Sequence, residues 1–344
     1  MIPGLQRAET LPARWYTDPA VYERERQAFF AREWLLLCHE AEVAEPGQVW
    51  AECIAGWPLL AVRGRDGVLR GFHNVCLHRA SPILWDGAGR CEQLRCRYHG
   101  WVYDLEGRLR RVPEFGDAED FEPGALSLHP VRIEAWRGFV FVNLGDEAPP
   151  LAEAIGPFAE AAARVPFESF QLHSRESHEL ACNWKTYVDN YLEGYHVPYL
   201  HPRMARELVT KEYRVEVGEH FVLHHVPTRP RVSGPVYEGF WGWFSPTAGF
   251  NVYAGGMSLE RMLPVGPDRM RIDYTFLFRE GTPAAEREEA FAMCRQVTGE
   301  DRMVCEAVQR NLAAGVYDRG RLSPRHEEGV FAFQQSLRAA LHRG

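Results

Sequence analysis

Lysine is nearly missing from this chain. Only Lys185 and Lys211 stand among its 39 basic residues, an arginine bias that reads as codon usage before chemistry. Long apolar runs are missing as well: stretches such as 34–38 and 139–142 fall far short of the ~20 residues that span a bilayer. The opening MIPGLQRAETLPARWYTDPA lacks a basic segment leading into an apolar one, so no secretory signal is expected. Positive charge is in deficit. The formal net charge is −8, which gives no footing for nucleic-acid or anionic-membrane binding. Repeats and low-complexity tracts are absent. Without an export signal, the eight cysteines are not expected to form a disulfide framework; in a reducing compartment they are buried, catalytic or metal-bound. What remains is a cytoplasmic globular protein, 46% hydrophobic and 25% charged, whose 344 residues suggest about two domains.

The texture of the chain divides it further. Asp18 before Pro19 reads as a helix N-cap and first helical residue, and the Arg- and Glu-rich run 22–32 that follows reads as a solvated helix face. From about residue 40 to 145, short β-rich runs alternate with turn signals such as RGRDG and DLEGR, which predicts a small antiparallel β domain. Paired prolines and small residues place a linker near 145–157. Beyond it a helix is expected over 183–195, then a loop broken by Pro198 and Pro202, strands to about 280, and helices over 284–314 and 327–341. Strands bracketed by helices in this order mean an α+β fold. The expected domains are an N-terminal helical segment over 1–40, a β domain over 41–145 and a larger domain over 146–344.

The β domain carries Cys76-Leu-His78, seventeen further residues, then Cys96-Arg-Tyr-His99. Two loops that each donate two ligands, backed by strands, are a natural metal site. A structural zinc accepts Cys₂His₂, but its like ligands usually pair, as C-x₂₋₄-C and H-x₃₋₅-H. Here each loop supplies one Cys and one His, the mixed donation that a Rieske [2Fe–2S] cluster needs for one iron held by sulfur and the other by imidazole. The pattern CxHR…CxxHGWxYDxxG, with Gly100, Trp101, Tyr103, Asp104 and Gly107 in place, closely resembles the Rieske ferredoxin domain. Cys91 lies off this pattern and reads as a free cysteine.

A second constellation sits in CNWKTYVDNYLEGYHVPYLHP. A helix from Asn183 would put Glu193 and His196 on one face, and the prolines would let His201 swing back beside His196. Two imidazoles and a carboxylate with open positions make the facial triad of non-haem Fe(II) oxygenases. A cluster that passes single electrons also needs an acceptor, which a mononuclear iron supplies. With both constellations on one chain, the sequence resembles the terminal-oxygenase α subunits of Rieske non-haem iron oxygenases, also called ring-hydroxylating oxygenases. Their second motif, NWK…(D/E)N(Y/F)xExYHxxxxH, is matched by Asn183, Trp184, Lys185, Asp189, Asn190, Tyr191, Glu193, Tyr195, His196 and His201. The third iron ligand should be a downstream carboxylate. Asp301 shares a helical stripe with Val304, Cys305, Val308 and Leu312, whereas Glu306 falls ~140° away at about 100° per residue. Asp301 is therefore the expected ligand, with Glu306 or Glu300 as fallback.

The resemblance implies a helix-grip catalytic domain with a curved antiparallel sheet and long helices. It also implies His196 and His201 as iron ligands, and Glu193 as the acidic bridge to His99 of a neighbouring subunit in a homotrimer. Electrons from NAD(P)H would arrive through a reductase or ferredoxin, and O₂ would be the cosubstrate for mono- or dioxygenation of a small organic molecule, an aromatic ring or a methylated amine. The wording of the motif and the short chain look like the α-only choline and carnitine monooxygenase-like group. The aromatic stretch Tyr237, Phe240, Trp241, Trp243, Phe244, Phe250 and Tyr253 is read first as sheet core and second as a cation-binding cage. His73, His129, His173, His178, His220, His224, His225, His326 and His342 fit neither motif and read as surface or satisfied core histidines. Two rival classes stand beside the oxygenase: a Rieske electron-transfer protein without a catalytic iron, and a zinc-stabilised binding protein.

Overall fold

The computed structural model describes residues 4–145, 147–229 and 239–343. They form two compact units, one of residues 31–151 and one that joins the first 30 residues to 152–344.

The unit 31–151 is built on a seven-stranded antiparallel sheet, ordered Leu35–His39, Phe139–Asn143, Pro130–Trp136, Leu69–His73, Trp57–Arg63, Gln48–Ile54 and Gly87–Arg90. A three-stranded sheet of Leu94–Arg95, Val102–Tyr103 and Leu109–Arg111 accompanies it. Both turn signals make hairpins. Asp66 accepts the Val68 N–H at 3.1 Å, and Asp104 accepts the N–H groups of Glu106 and Arg108 at 3.0 and 2.9 Å. At Gly107, φ is +85° and a Cβ would lie 2.6 Å from the Phe72 ring, so only glycine fits that turn. Its core gathers Leu60, Val62, Phe72, Leu94, Trp101 and Tyr103 around Cys76 and Cys96. The expected helical segment over 1–40 stops short: 35–39 is a strand paired with Phe139–Asn143.

The larger unit holds a second seven-stranded antiparallel sheet, ordered Phe170–Leu180, Arg269–Arg279, Gly256–Gly266, Ala248–Tyr253, Gly239–Phe244, Phe221–His225 and Arg214–Gly218. The helices Trp184–Tyr191, Ala284–Ala313 and Glu328–Arg343 pack with it. No described helix is long and apolar enough to cross a membrane. Asp18 caps the helix Pro19–Glu25 as expected, its carboxylate accepting the Ala20 N–H. The solvated-face reading of the run after it fails at Glu25, which is fully buried and bridges Lys185 at 2.7 Å. Trp184 beside it packs on Phe29, Phe30 and Phe333. A buried lysine supplies the counter-charge that sequence periodicity could not reveal.

Candidate metal centres and active-site cavity

The two Cys–His loops are fixed by their own backbones. In the first, the Asn74 carboxamide accepts the N–H groups of Ile83 and Leu84 at 2.9 and 3.0 Å and donates to Leu84 at 2.7 Å. Cys76 N–H donates to Ser81 across the same loop at 2.8 Å. In the second, Cys96 and Trp101 close a turn through a 2.9 Å bond, with Gly100 at φ +73°. The donors are sorted by type. Cys76 and Cys96 are buried, and burial pushes the Cys76 thiol up, reinforced by Cys96 beside it. Tyr103 Oη stands 3.3 Å from Cys76 Sγ and accepts the Leu77 N–H at 3.0 Å. The His78 and His99 rings meet edge to face, 4.5 Å between centroids, and Trp101 stacks on His78 at 4.8 Å. His78 Nδ1 is buried with no partner. Thiols beside thiols and imidazoles beside imidazoles fit a cluster whose two irons take different ligands.

The second centre forms around a chain reversal. The helix Trp184–Tyr191 starts on the Asn183 cap and stops before Glu193. Glu193 and His196 therefore do not share a helical face. Instead the Glu193 carboxylate accepts the N–H groups of Tyr195 and His196 in a turn, and the same carboxylate meets His196 Nδ1 at 2.5 Å. Pro198 and Pro202 sit in the first turns of the short helices Val197–Leu200 and Pro202–Glu207, so they begin helices rather than only interrupt one. His201 lies at the junction, and its Nε2 comes within 3.2 Å of His196 Nε2. Asp301 Oδ1, from the helix Ala284–Ala313, lies 3.1 Å from His201 Nε2 and 3.9 Å from His196 Nε2.

Among the described residues these three are the set that brings three such donors within 4.8 Å of one another. Cys76, His78, Cys96 and His99 do not converge in that way, which argues against a single tetrahedral zinc in the loops. Two carboxylates behind the imidazoles settle their tautomers. Glu193 takes the Nδ1 proton of His196, and Glu300 takes that of His201 at 2.6 Å. Both Nε2 lone pairs then face Asp301 with no proton between them, an arrangement a cation resolves. Burial alone would lower the His201 imidazole, but Asp301 and Glu300 outweigh it and hold it above its ordinary value. Asn190 donates to Asp301 Oδ1 at 2.8 Å, and Gln296 steadies Glu300 at 2.9 Å.

Glu306 faces elsewhere: it accepts the Ala181 N–H at 3.1 Å and pairs with Arg302. Glu300 lies outside the three converging donors, its carboxylate on His201 Nδ1. The buried stripe of the helix also differs from expectation, running Asp301, Cys305, Gln309 and Leu312 while Val308 is 39% exposed.

A cavity of about 150 Å³ opens beside Asp301, His196 and His201, lined by Tyr187, Tyr191, Tyr213, Trp241, Tyr253 and Tyr274. The aromatic stretch thus divides. Trp241 and Tyr253 face the cavity, Phe240, Phe244 and Phe250 pack on Phe158, and Trp243 packs on Phe333. Tyr237 lies outside the described residues. His224 is not an ordinary core histidine: it lines the cavity, Tyr213 Oη meets its Nδ1 at 2.9 Å, and its Nε2 is buried without a partner. Glu260, buried in the same wall, escaped the motif reading because nothing in strand periodicity marks a functional acid.

Residues 33–122 match the Rieske [2Fe-2S] domain, and residues 167–343 match the ring hydroxylating alpha subunit catalytic domain. The carnitine monooxygenase oxygenase subunit of Acinetobacter pittii (strain PHEA-2) is 31% identical over 95% of this chain and 93% of its own length. The chloroplastic choline monooxygenase of Beta vulgaris is 31% identical over 97% of this chain and 77% of its own. A solved quaternary ammonium Rieske monooxygenase superposes with a TM-score of 0.88 at 28% identity, covering 97% of this chain and 95% of that one. The chain belongs to the Rieske non-haem iron oxygenases: it is a terminal oxygenase α subunit that uses a [2Fe–2S] cluster, a mononuclear iron, O₂ and electrons from a separate reductase.

Proposed function

We propose that this chain is a monooxygenase of a small methylated amine. His196, His201 and Asp301 would hold the mononuclear iron; Cys76 and Cys96 would hold one iron of the cluster, His78 and His99 the other. The observation that carries this reading is the small aromatic cavity opening on that trio of donors. At about 150 Å³ it is well below the ~300–1,000 Å³ of common ligand pockets, and its rings offer π-faces to an ammonium group. Carnitine and choline monooxygenases among the relatives act on molecules of this kind.

When bound, the iron supplies open positions at which O₂ is activated next to the substrate. The chain's own residues do the rest. Glu193 and Glu300 keep the Nδ1 protons of His196 and His201 outward, so both rings present lone pairs to the metal. Asn190 holds Asp301 in place, and the cavity rings exclude water while they orient the substrate. Over the whole reaction one oxygen atom enters a C–H bond and the other leaves as water, taking two electrons and two protons.

Glu193 is assigned as the bridge to His99 of a neighbouring subunit in a homotrimer, supported by the exposure of His99 on its loop. Residues 31–151 are assigned as the cluster domain, and 152–344 together with 1–30 as the catalytic domain. A cytoplasmic setting is supported by eight cysteines of which none is in a disulfide. The test is an iron and acid-labile sulfide assay on anaerobically purified protein, followed by turnover of methylated amines with a reductase and NADH. Three irons and two sulfides per chain, a loss of one iron in His196→Ala or Asp301→Ala, and oxygenated or demethylated amine support the assignment. Two irons in fully loaded wild type would leave an electron carrier instead.

A further inference from the structure

Glu260 sits on the strand Gly256–Gly266, only 4% exposed, and lines the cavity. Its carboxylate accepts the Tyr187 hydroxyl at 2.7 Å and the Asn251 carboxamide at 3.1 Å, and Asn251 is held in turn by the Tyr191 hydroxyl at 2.8 Å. Among the described residues no lysine or arginine pairs with it, and none lines the cavity. Glu25 makes the contrast: equally buried, it has Lys185 at 2.7 Å. An ionised carboxylate without a counter-charge is expensive to bury, and burial accordingly pushes Glu260 up to about 7.

Apart from His196 and His201, the basic side chain in the described wall is His224, and burial pushes it down to about 3, so it stays neutral at physiological pH. Two uncharged polar atoms lack partners, His224 Nε2 and Tyr253 Oη. Beyond Glu193, Asp301 and the two imidazoles they accompany, the cavity therefore combines aromatic faces, the Glu260 carboxylate and neutral polar groups.

We infer that Glu260 is the counter-charge for the substrate, and that the substrate is a net cation: a methylated ammonium with no carboxylate of its own. This rests on the methylated-amine reading above and narrows it. The cavity tyrosines and Trp241 attract the ammonium, and Glu260 supplies a negative charge that a quaternary nitrogen can approach without hydrogen bonding. A zwitterion would bring a further carboxylate into a wall that has no lysine or arginine among the described residues to receive it. A small hydroxyl, by contrast, would find His224 Nε2 and Tyr253 Oη.

The test is calorimetric binding to anaerobic, iron-loaded enzyme, with four probes: choline, its uncharged carbon isostere 3,3-dimethylbutan-1-ol, glycine betaine and indole. Choline should bind about tenfold or more tighter than either the isostere or glycine betaine. Glu260→Gln should weaken choline by about tenfold and leave the isostere within about twofold, collapsing the ratio between them. An unchanged ratio in Glu260→Gln overturns the inference. So does wild type that prefers glycine betaine, an outcome that leaves the methylated-amine reading standing. Binding of indole with none of the ammonium compounds overturns both. If Glu260→Gln does not fold, the ranking of the probes on wild type decides alone.

Discussion

Glu300→Gln isolates the contribution of one negative charge placed behind an imidazole. Glu300 Oε2 lies 2.6 Å from His201 Nδ1, while Gln296 anchors the other oxygen at 2.9 Å. Glutamine keeps an acceptor of the same reach, so the ring should stay where it is. What goes is the charge that makes Nε2 a stronger donor. Loss of such an outer partner commonly weakens metal binding by ~10–100-fold, or about 1.4–2.7 kcal/mol. The Glu300 side chain is 23% exposed, so solvent screens part of its effect and the lower end, about tenfold, is expected. The assay is anaerobic titration of the metal-free protein with Fe(II) against a competing chelator. Glu306→Gln is the control, since Glu306 serves the Ala181 N–H and Arg302 and should leave the affinity within about twofold. Undiminished affinity in Glu300→Gln together with a loss in Glu306→Gln would refute the assignment of helix faces.

Tyr103→Phe removes the hydroxyl 3.3 Å from Cys76 Sγ, and one bond of about 1 kcal/mol to a cluster sulfur corresponds to a potential lower by roughly 45 mV, readable by redox titration of the visible spectrum. Lys185→Met strands the fully buried Glu25 carboxylate and should cost about 3–5 kcal/mol in urea unfolding, whereas adding Glu25→Gln should recover part of it. Asp189 is buried against Tyr16 and Gln334, and burial pushes it up to about 7 despite their hydrogen bonds. Because the folded state holds that proton more tightly than the unfolded one, its stabilisation is full below pH ~4 and is lost as pH rises to ~7, a change of up to about 4 kcal/mol. Asp189→Asn should flatten that part of the stability profile; a profile identical to wild type between pH 4 and 8 would exclude the effect.

The donors that the structure brings together at His196, His201 and Asp301 are legible in the sequence. Cys76, His78, Cys96 and His99 announced themselves because mixed Cys–His pairs on two loops have few other uses. His201 was recoverable because the prolines on either side forbid a continuous helix. The carboxylates were harder. Asp301 emerged from helical phase, but Glu300 sits one residue away with a different task, and phase alone cannot say which acid faces an imidazole's front and which its back. The sequence pattern puts Glu193 on a helix that in fact ends at Tyr191, since a polar Asn-Tyr-Leu-Glu run carries no stop signal of its own. Glu25, His224 and Glu260 were invisible for a common reason: their burial depends on partners far away in sequence. The strand Phe170–Leu180 also escaped notice, its outward residues being so polar that the run resembles a loop.

The neighbouring acids Glu300 and Asp301 grip one ring from both sides, at 2.6 Å on Nδ1 and 3.1 Å on Nε2. Consecutive residues on a helix point about 100° apart, so the pair works like the jaws of a caliper closed on an imidazole. The width of that ring then sets the rotational phase of a thirty-residue helix against the chain around His201. A turn of the helix in either direction would open one jaw and crowd the other. Through this single ring, a rod that also builds the wall of the cavity has its angular setting gauged at the three converging donors.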